Sequence, residues 1–522
     1  MGDIPAVSPA SAASYYSYTL YLGTFIQLPR EPATPATPTS GPTYILSIND
    51  GAVWVDSSDG RIAGSKWDVG GEKELNEWAE SMGWKLVYDD KEAQDCASTV
   101  QRVRVIRARQ DKNGFFFPGF IDTHIHAPQY PNCGIFGSTT LLDWLNKYTF
   151  PMEASFGDKE TPDTPTKRAH TIYNAVVART LSHGTTSAAY YATVHVPATN
   201  LLASICHTKG QRAFIGRVCM DNPDTCPDFY RDESTAAMVE ATKASMEYIH
   251  RLDPRGTLVK PIITPRFAIS CTSAALAQLG DLAASTNPPT YIQTHISENE
   301  DEIEAVKSLF PDCSTYTEVY DKANLITSRT VLAHGIHLLE SERALIRERS
   351  AGIAHCPASN TSLSSGMCPI RTLLDDGISV GLGTDASGGY SPSILETARQ
   401  ASLVSRLVAF QNRKKTGGRE KLSVEEALYL ATRGGAKVFK MEDEIGGFEK
   451  GMFWDAQMIE LGDSVEDNGQ SIDERSTLQQ YGNVCMYGWE SWEERVAKWM
   501  WTGDDRNVKA VWVGGRLVHG SA

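Results

Sequence analysis

Pro118-Gly-Phe-Ile-Asp-Thr-His-Ile-His-Ala-Pro-Gln-Tyr130 opens the part of the chain that decides the fold. A short apolar run carries two histidines separated by one residue. On a strand, His124 and His126 therefore project to the same side. Neutral imidazoles are good ligands for zinc or iron. Chance also produces His-x-His pairs, so the meaning of this one rests on its partners further along the chain.

From Phe117 onward, short apolar runs alternate with longer amphipathic segments. The apolar runs predict strands over residues 119–123, 185–190, 213–218, 259–264, 291–294, 330–333, 352–354 and 379–382. Helices are predicted between them, over 167–182, 198–209, 236–251, 274–284, 301–309, 341–349 and 370–376. Alternation of this kind implies an α/β fold with a parallel sheet, and eight strands suggest a closed (β/α)8 TIM-like barrel. A doubly wound open sheet is the alternative, but no Gly-rich phosphate loop follows an early strand.

Outward from the barrel, residues 15–28, 44–55 and 102–107 read as strands and 72–84 as a helix, with 29–42 a Pro- and Thr-rich loop. Near the other end, 391–408 and 423–440 read as helices, and 455–461 and 509–518 as strands. Residues 15–116 and 443–522 are expected to form a small composite β-sandwich domain beside a barrel over 117–442. Within the second half, 462–505 reads as a helical insertion rich in tryptophan, whose rings are expected to pack.

Composition excludes several roles. The chain has 522 residues, 41% of them hydrophobic and 22% charged, which suits a globular protein of more than one domain. A net charge of −15 opposes binding to nucleic acid or to anionic membranes. The ten cysteines form no Cys-x-x-Cys pair and read as free thiols in a reducing compartment. No basic segment precedes an apolar run near Met1, and no stretch approaches the roughly 20 apolar residues of a membrane helix. A cytoplasmic location is expected.

The candidate chemical groups share one placement, at the C-terminal ends of predicted strands, where barrel active sites are built. His124 and His126 follow the first strand, His295 the fifth, His334 the sixth and Asp385 the eighth. Three histidines and a carboxylate, with a position open to water, suit a metal that acidifies that water. Glu298 can act as a general acid/base, and Asp385 can both ligate and take a proton. Arg266 offers several donors to a planar carbonyl edge, or else a surface salt bridge. Phe267 can stack on a flat ring or fill core; Gln129 can read a base edge or cap a turn. His183, His195, His207, His337, His355 and His519 read as hydrogen-bonded loop residues.

These motifs resemble those of the guanine deaminases of the amidohydrolase superfamily. The His-x-His stretch is joined, in order, by Thr264-Pro-Arg-Phe267, Thr294-His-Ile-Ser-Glu298, Ala333-His-Gly335, His355-Cys-Pro-Ala-Ser-Asn360 and Gly383-Thr-Asp-Ala-Ser-Gly-Gly-Tyr390. The resemblance implies one zinc, or iron, per subunit on His124, His126, His295 and Asp385, with His334 orienting water or substrate. It implies that Gln129, Arg266 and Phe267 hold the purine, and that Glu298 moves a proton to the ring nitrogen beside the attacked carbon. The reaction implied is hydrolysis of guanine to xanthine and ammonia by a homodimer. Lys260 lies at the wrong end of its strand to bridge a second metal. A same-fold hydrolase acting on cytosine, an adenosine derivative or a triazine is the nearest alternative. A non-enzymatic scaffold is a further one, against which the complete ligand set speaks.

Overall fold

The alternating segments close into the barrel that their spacing predicts. Its strands are Phe120–His126, Thr185–Tyr191, Arg212–Gly216, Val259–Pro265, Tyr291–Ile296, Thr330–His334, Gly352–His355 and Ser379–Leu382. Each pairs in parallel with the next along the chain. This computed structural model describes residues 16–88, 101–158, 160–464 and 482–522. Every residue of the first two strands is buried, as expected of strands covered on both faces.

Closure between the last strand and the first uses the segment just beyond the last strand. The Asp385 N–H donates to the His124 carbonyl at 2.8 Å, and the His126 N–H to the Ala386 carbonyl at 3.1 Å. The Thr123 hydroxyl adds a bond to the Leu382 carbonyl at 2.9 Å. The seam of the barrel thus fixes Asp385 against the two histidines of the opening motif.

The covering helices follow from caps and periodicity. Lys167–Ser182 begins at Thr166, whose hydroxyl accepts the Ala169 N–H, and buries Tyr173, Val176, Val177, Thr180 and Leu181 on one face. Val196–Lys209 ends at Gly210, whose φ of 83° is left-handed. Ile394–Thr416 runs well past the expected stop, because its polar second half stays helical until Gly417 takes a left-handed φ of 70°. The single helix expected over 423–440 is instead Val424–Tyr429, a wide turn at Leu430–Gly434, and Gly435–Val438. Gly435 lies so close to the first barrel strand that a Cβ there would stand 2.7 Å from the Ile121 side chain.

Both chain ends build one branched mixed sheet of nine strands. Tyr18–Gln27 pairs antiparallel with Ser47–Asp56. Along its other edge it pairs in parallel with Gln101–Arg107 and then Gly114–Pro118. Gly114–Pro118 pairs antiparallel with Ala456–Glu460, which joins the C-terminal strands to the N-terminal ones. An aromatic core of Tyr21, Phe25, Phe116, Trp454 and Trp512 fills one face. The strand expected over 509–518 is a hairpin, Val508–Val513 and Arg516–Gly520, turned through Gly514 and Gly515 with φ of 53° and 75°. Ile62–Trp67 and Gly114–Pro118 are strands that the sequence reading passes over.

Arg212 on the third barrel strand and Asp455 beside the end sheet form a buried bidentate pair, at 3.0 and 3.1 Å. The described helix of the expected insertion is Trp492–Thr502; residues 465–481 lie outside the described ones. Trp499 is buried and stacks on Phe120, whereas Trp489 is 75% exposed and stacks on Tyr487 at the surface. Among the described residues, no helix is long and apolar enough to cross a membrane.

Candidate active site

The first barrel strand carries His124 and His126 as its fifth and seventh residues, so alternation sends both inward. His295 lies near the end of the fifth strand and His334 is the last residue of the sixth. Asp385 follows the eighth strand on the closing seam. His334 and Asp385 adopt left-handed φ values of 73° and 45°. Such backbone is unfavourable for non-glycine residues and persists where surrounding structure enforces it.

The ligand atoms of His124, His126, His295 and Asp385 all lie within 4.8 Å of one another. His126 Nε2 is 3.1 Å from His295 Nε2. Asp385 Oδ1 lies 3.2 Å from His124 Nε2 and 3.5 Å from His126 Nε2. An ion held at about 2.1 Å by tetrahedral ligands separates them by about 3.4 Å, so the spacing fits. The donors fit as well. His295 Nδ1 donates to the Arg266 carbonyl at 2.6 Å, which leaves Nε2 bare and aimed at the cluster. His124 Nε2 is buried without a hydrogen-bond partner. Burial holds His124, His126 and His295 below the ordinary histidine range, and so neutral. Burial opposes the charge of Asp385, but His124 and the neighbouring histidines outweigh it and hold the carboxyl well below its usual range.

A second layer sits over this cluster. Glu298 Oε2 lies 3.3 Å from His334 Nε2, and Asp385 Oδ2 is 3.9 Å from the same atom. Burial pushes the Glu298 carboxyl up to about 7, against the pull of His334. Burial alone would lower His334, but Glu298 and Asp385 raise it on balance. His334 Nδ1 bonds the Asn360 Oδ1 at 2.8 Å, which fixes the ring. Glu298 is itself fixed: Ser365 donates to its Oε1 at 3.2 Å, and its N–H donates to Glu302 Oε2 at 2.8 Å. Asn299 and Glu302 form the capping box of the helix Glu300–Leu309.

His126, His295, Glu298, His334 and Asp385 open into one cavity, lined also by Gln129, Arg266, Phe267, Leu141, Trp144, Leu145 and Leu363. Its lining sets convergent polar groups among apolar and aromatic side chains, as small-molecule sites do. Every predicted site residue is therefore brought together. Arg266 is no surface salt-bridge residue: it is buried and pairs with Glu153 at 2.6 Å. Phe267 is buried yet lines the cavity. Gln129 donates to Glu153 at 2.7 Å. Among the other histidines, His195 and His337 are hydrogen-bonded as expected. His355 is not: it ends the seventh strand, buried, with neither ring nitrogen partnered.

Sequence reasoning missed Glu153, Asn360, Ser365 and Glu302. The last has a readable signal, because Asn299 and Glu302 have capping-box spacing just before a helix. Glu153 has none, because its partner Arg266 is 113 residues away.

Comparison with known proteins agrees with this geometry. The amidohydrolase family matches residues 115–518. A probable guanine deaminase of Schizosaccharomyces pombe is 47% identical over 406 residues, covering 78% of this chain and 72% of that one. The guanine deaminase of Mus musculus is 43% identical over 404 residues, covering 77% and 83%. Among solved structures, a guanine deaminase from C. acetobutylicum with guanine bound in its active site covers 96% of this chain and 100% of its own. Its TM-score is 0.73 at 30% identity.

Proposed function

The chain belongs to the amidohydrolase family, among the guanine deaminases, and on that premise we infer that it hydrolyses guanine to xanthine and ammonia. One observation carries the reading: His126, His295 and Asp385 of the four-residue cluster line the same cavity as the Arg266–Phe267 pair.

His124, His126, His295 and Asp385 are the residues that would hold one ion, zinc or iron. When bound, the metal supplies a Lewis acid that lowers the pKa of a coordinated water toward 7. The chain's own residues then divide the remaining work. Arg266 and Gln129 hold the purine by its polar edges and Phe267 offers an aromatic face. Carbon 2 is thereby set over the cluster. Glu298 carries a proton from the attacking water to the ring nitrogen beside that carbon, a role suited to a carboxyl that titrates near 7. His334 orients the attacking water or the substrate. As the water oxygen bonds to carbon 2, the bond to the exocyclic amine breaks. The amine leaves with the second water proton as ammonia, and the ring keeps the new carbonyl as xanthine.

A homodimer in the cytoplasm belongs to the same reading. It is supported by the resemblance to guanine deaminases and by the free cysteines among the described residues. The test is an ammonia-release assay over guanine, adenine, cytosine and a triazine. Turnover of guanine is expected to exceed that of the rest by orders of magnitude. Release from cytosine or a triazine, with none from guanine, overturns the reading.

A further inference from the structure

Glu153 lies behind the cavity wall, on the short helix Phe150–Ala154, and is wholly buried. Both of its oxygens are engaged. Oε1 accepts the Gln129 side-chain N–H at 2.7 Å, and Oε2 accepts from Arg266 Nη1 and from the Tyr230 hydroxyl, each at 2.6 Å. Three side chains from distant parts of the chain therefore converge on one carboxylate, and two of them line the substrate cavity.

We propose that Glu153 is a positioning residue that sets which edge of the ring the cavity recognises. The inference rests on the reading of the cavity as a guanine site. The physical argument is one of donor and acceptor accounting. A carboxylate accepts and does not donate, so it dictates how the Gln129 amide is turned. The amide nitrogen must face Glu153, and the carbonyl oxygen then takes the Ser387 hydroxyl at 3.3 Å. Gln129 is left with one unspent N–H, a donor. Arg266 is bonded through Nη1 alone among the described residues, so its other N–H groups are donors as well. The wall thus offers donors and no free acceptor. A ring edge made of a carbonyl oxygen and an unprotonated nitrogen satisfies it; an edge carrying an amino group leaves donor facing donor.

Glu153 also cancels the buried guanidinium charge of Arg266, whose other face rests on the Phe150 ring at 5.3 Å. An amide at position 153 would remove that compensation and free Gln129 to turn over. Recognition should weaken, and the preference for a carbonyl over an amino group should shrink. The chemistry at carbon 2 should be little changed, since Glu298, His334 and the metal ligands make no described bond to Glu153.

The experiment compares guanine with 2,6-diaminopurine, which keeps the reacting amine but replaces the carbonyl by an amino group. Both substrates are run on the metal-loaded wild type, Glu153→Gln and Tyr230→Phe. For Glu153→Gln, the KM for guanine should rise roughly ten- to a hundredfold, the loss of one charge-assisted bond. Its kcat and metal content should hold, and the guanine to diaminopurine ratio of kcat/KM should fall about tenfold. Tyr230→Phe, which removes one bond to Glu153 without touching the cavity, should shift the ratio the same way by less. It keeps the test open if Glu153→Gln fails to fold. Equal losses on both substrates, or loss of metal, would mean a structural role and overturn the inference. Wild-type protein inactive on guanine overturns the functional reading instead, so the two failures are separable.

Discussion

Glu298 Oε2 stands 3.3 Å from His334 Nε2, and the same imidazole nitrogen lies 3.9 Å from Asp385 Oδ2. The pair couples a carboxyl raised by burial to an imidazole raised by carboxylates. The proposed role of the pair is to pass protons between substrate and water on this side of the cavity. Glu298→Gln keeps the shape and the Ser365 contact but cannot carry a proton. Its kcat should drop by about 10² to 10⁴-fold while metal content stays at the wild-type value. Steady-state kinetics beside elemental analysis checks this. Normal turnover would remove Glu298 from the proton path.

Arg266 makes a different prediction because its proposed role is to hold the ring and not to act on the reacting atoms. Arg266→Ala removes the donors of the wall and leaves Glu153 buried without its countercharge. The KM for guanine should rise by at least tenfold, and more than kcat falls. The Arg266 carbonyl bond to His295 is a backbone one, so metal content should survive. Metal loss in this variant would point to a structural role for the side chain.

Metal removal gives a third prediction. Three neutral imidazoles and a charged carboxylate converge on one point, and an ion there binds the folded chain and not the unfolded one. Dialysis against a chelator should abolish turnover and lower the melting temperature, and one equivalent of zinc should restore both. His124→Ala should show the low melting temperature before dialysis and no recovery after it. A chelated protein with unchanged melting and full activity would exclude the site.

Much of this was legible in the sequence, and what was not shares a physical cause. Strand alternation located the barrel, and strand ends located His124, His126, His295, His334 and Asp385, because each lies in or just after an apolar run. Local chemistry was readable wherever it acted over a few residues. It failed where a local pattern hid a break: Gly514 and Gly515 fold back an apolar run that reads as one strand. It also failed for contacts between distant segments. The Glu153–Arg266 pair and the Asn360–His334 bond exist only once the barrel brings their segments together. The chain-end sheet was expected from the β-rich ends, yet its branching at Tyr18–Gln27 follows from pairing that sequence does not specify.

The joint between barrel and end sheet is testable through Arg212 and Asp455. Their bidentate contact is buried on both sides, and Asp455 also accepts the Gly514 N–H at 2.7 Å. Asp455→Ala strands a guanidinium away from water, at a cost of about 3–5 kcal/mol. Denaturant unfolding should report a loss of that order, with KM unchanged in protein that remains folded. A loss below about 1 kcal/mol, the range of an exposed pair, would show that water reaches the joint.

His195 supplies the last prediction, a dependence of stability on pH. Burial pushes this imidazole from 6.5 down to about 4, and Arg217 adds to the effect. The folded chain therefore refuses a proton that the unfolded chain accepts. Above pH 6.5 neither state binds it, and the full stability is present. As pH falls from 6.5 toward 4 the unfolded state gains the proton alone, and stability declines; below 4 both states are protonated and the decline stops. His195→Asn keeps a donor for Thr193 but cannot titrate. The stability advantage of wild type over this variant should shrink by about 3 kcal/mol between pH 7 and pH 4. Unfolding curves collected across that range test it, and a constant difference at every pH would mean that His195 does not titrate as its burial requires.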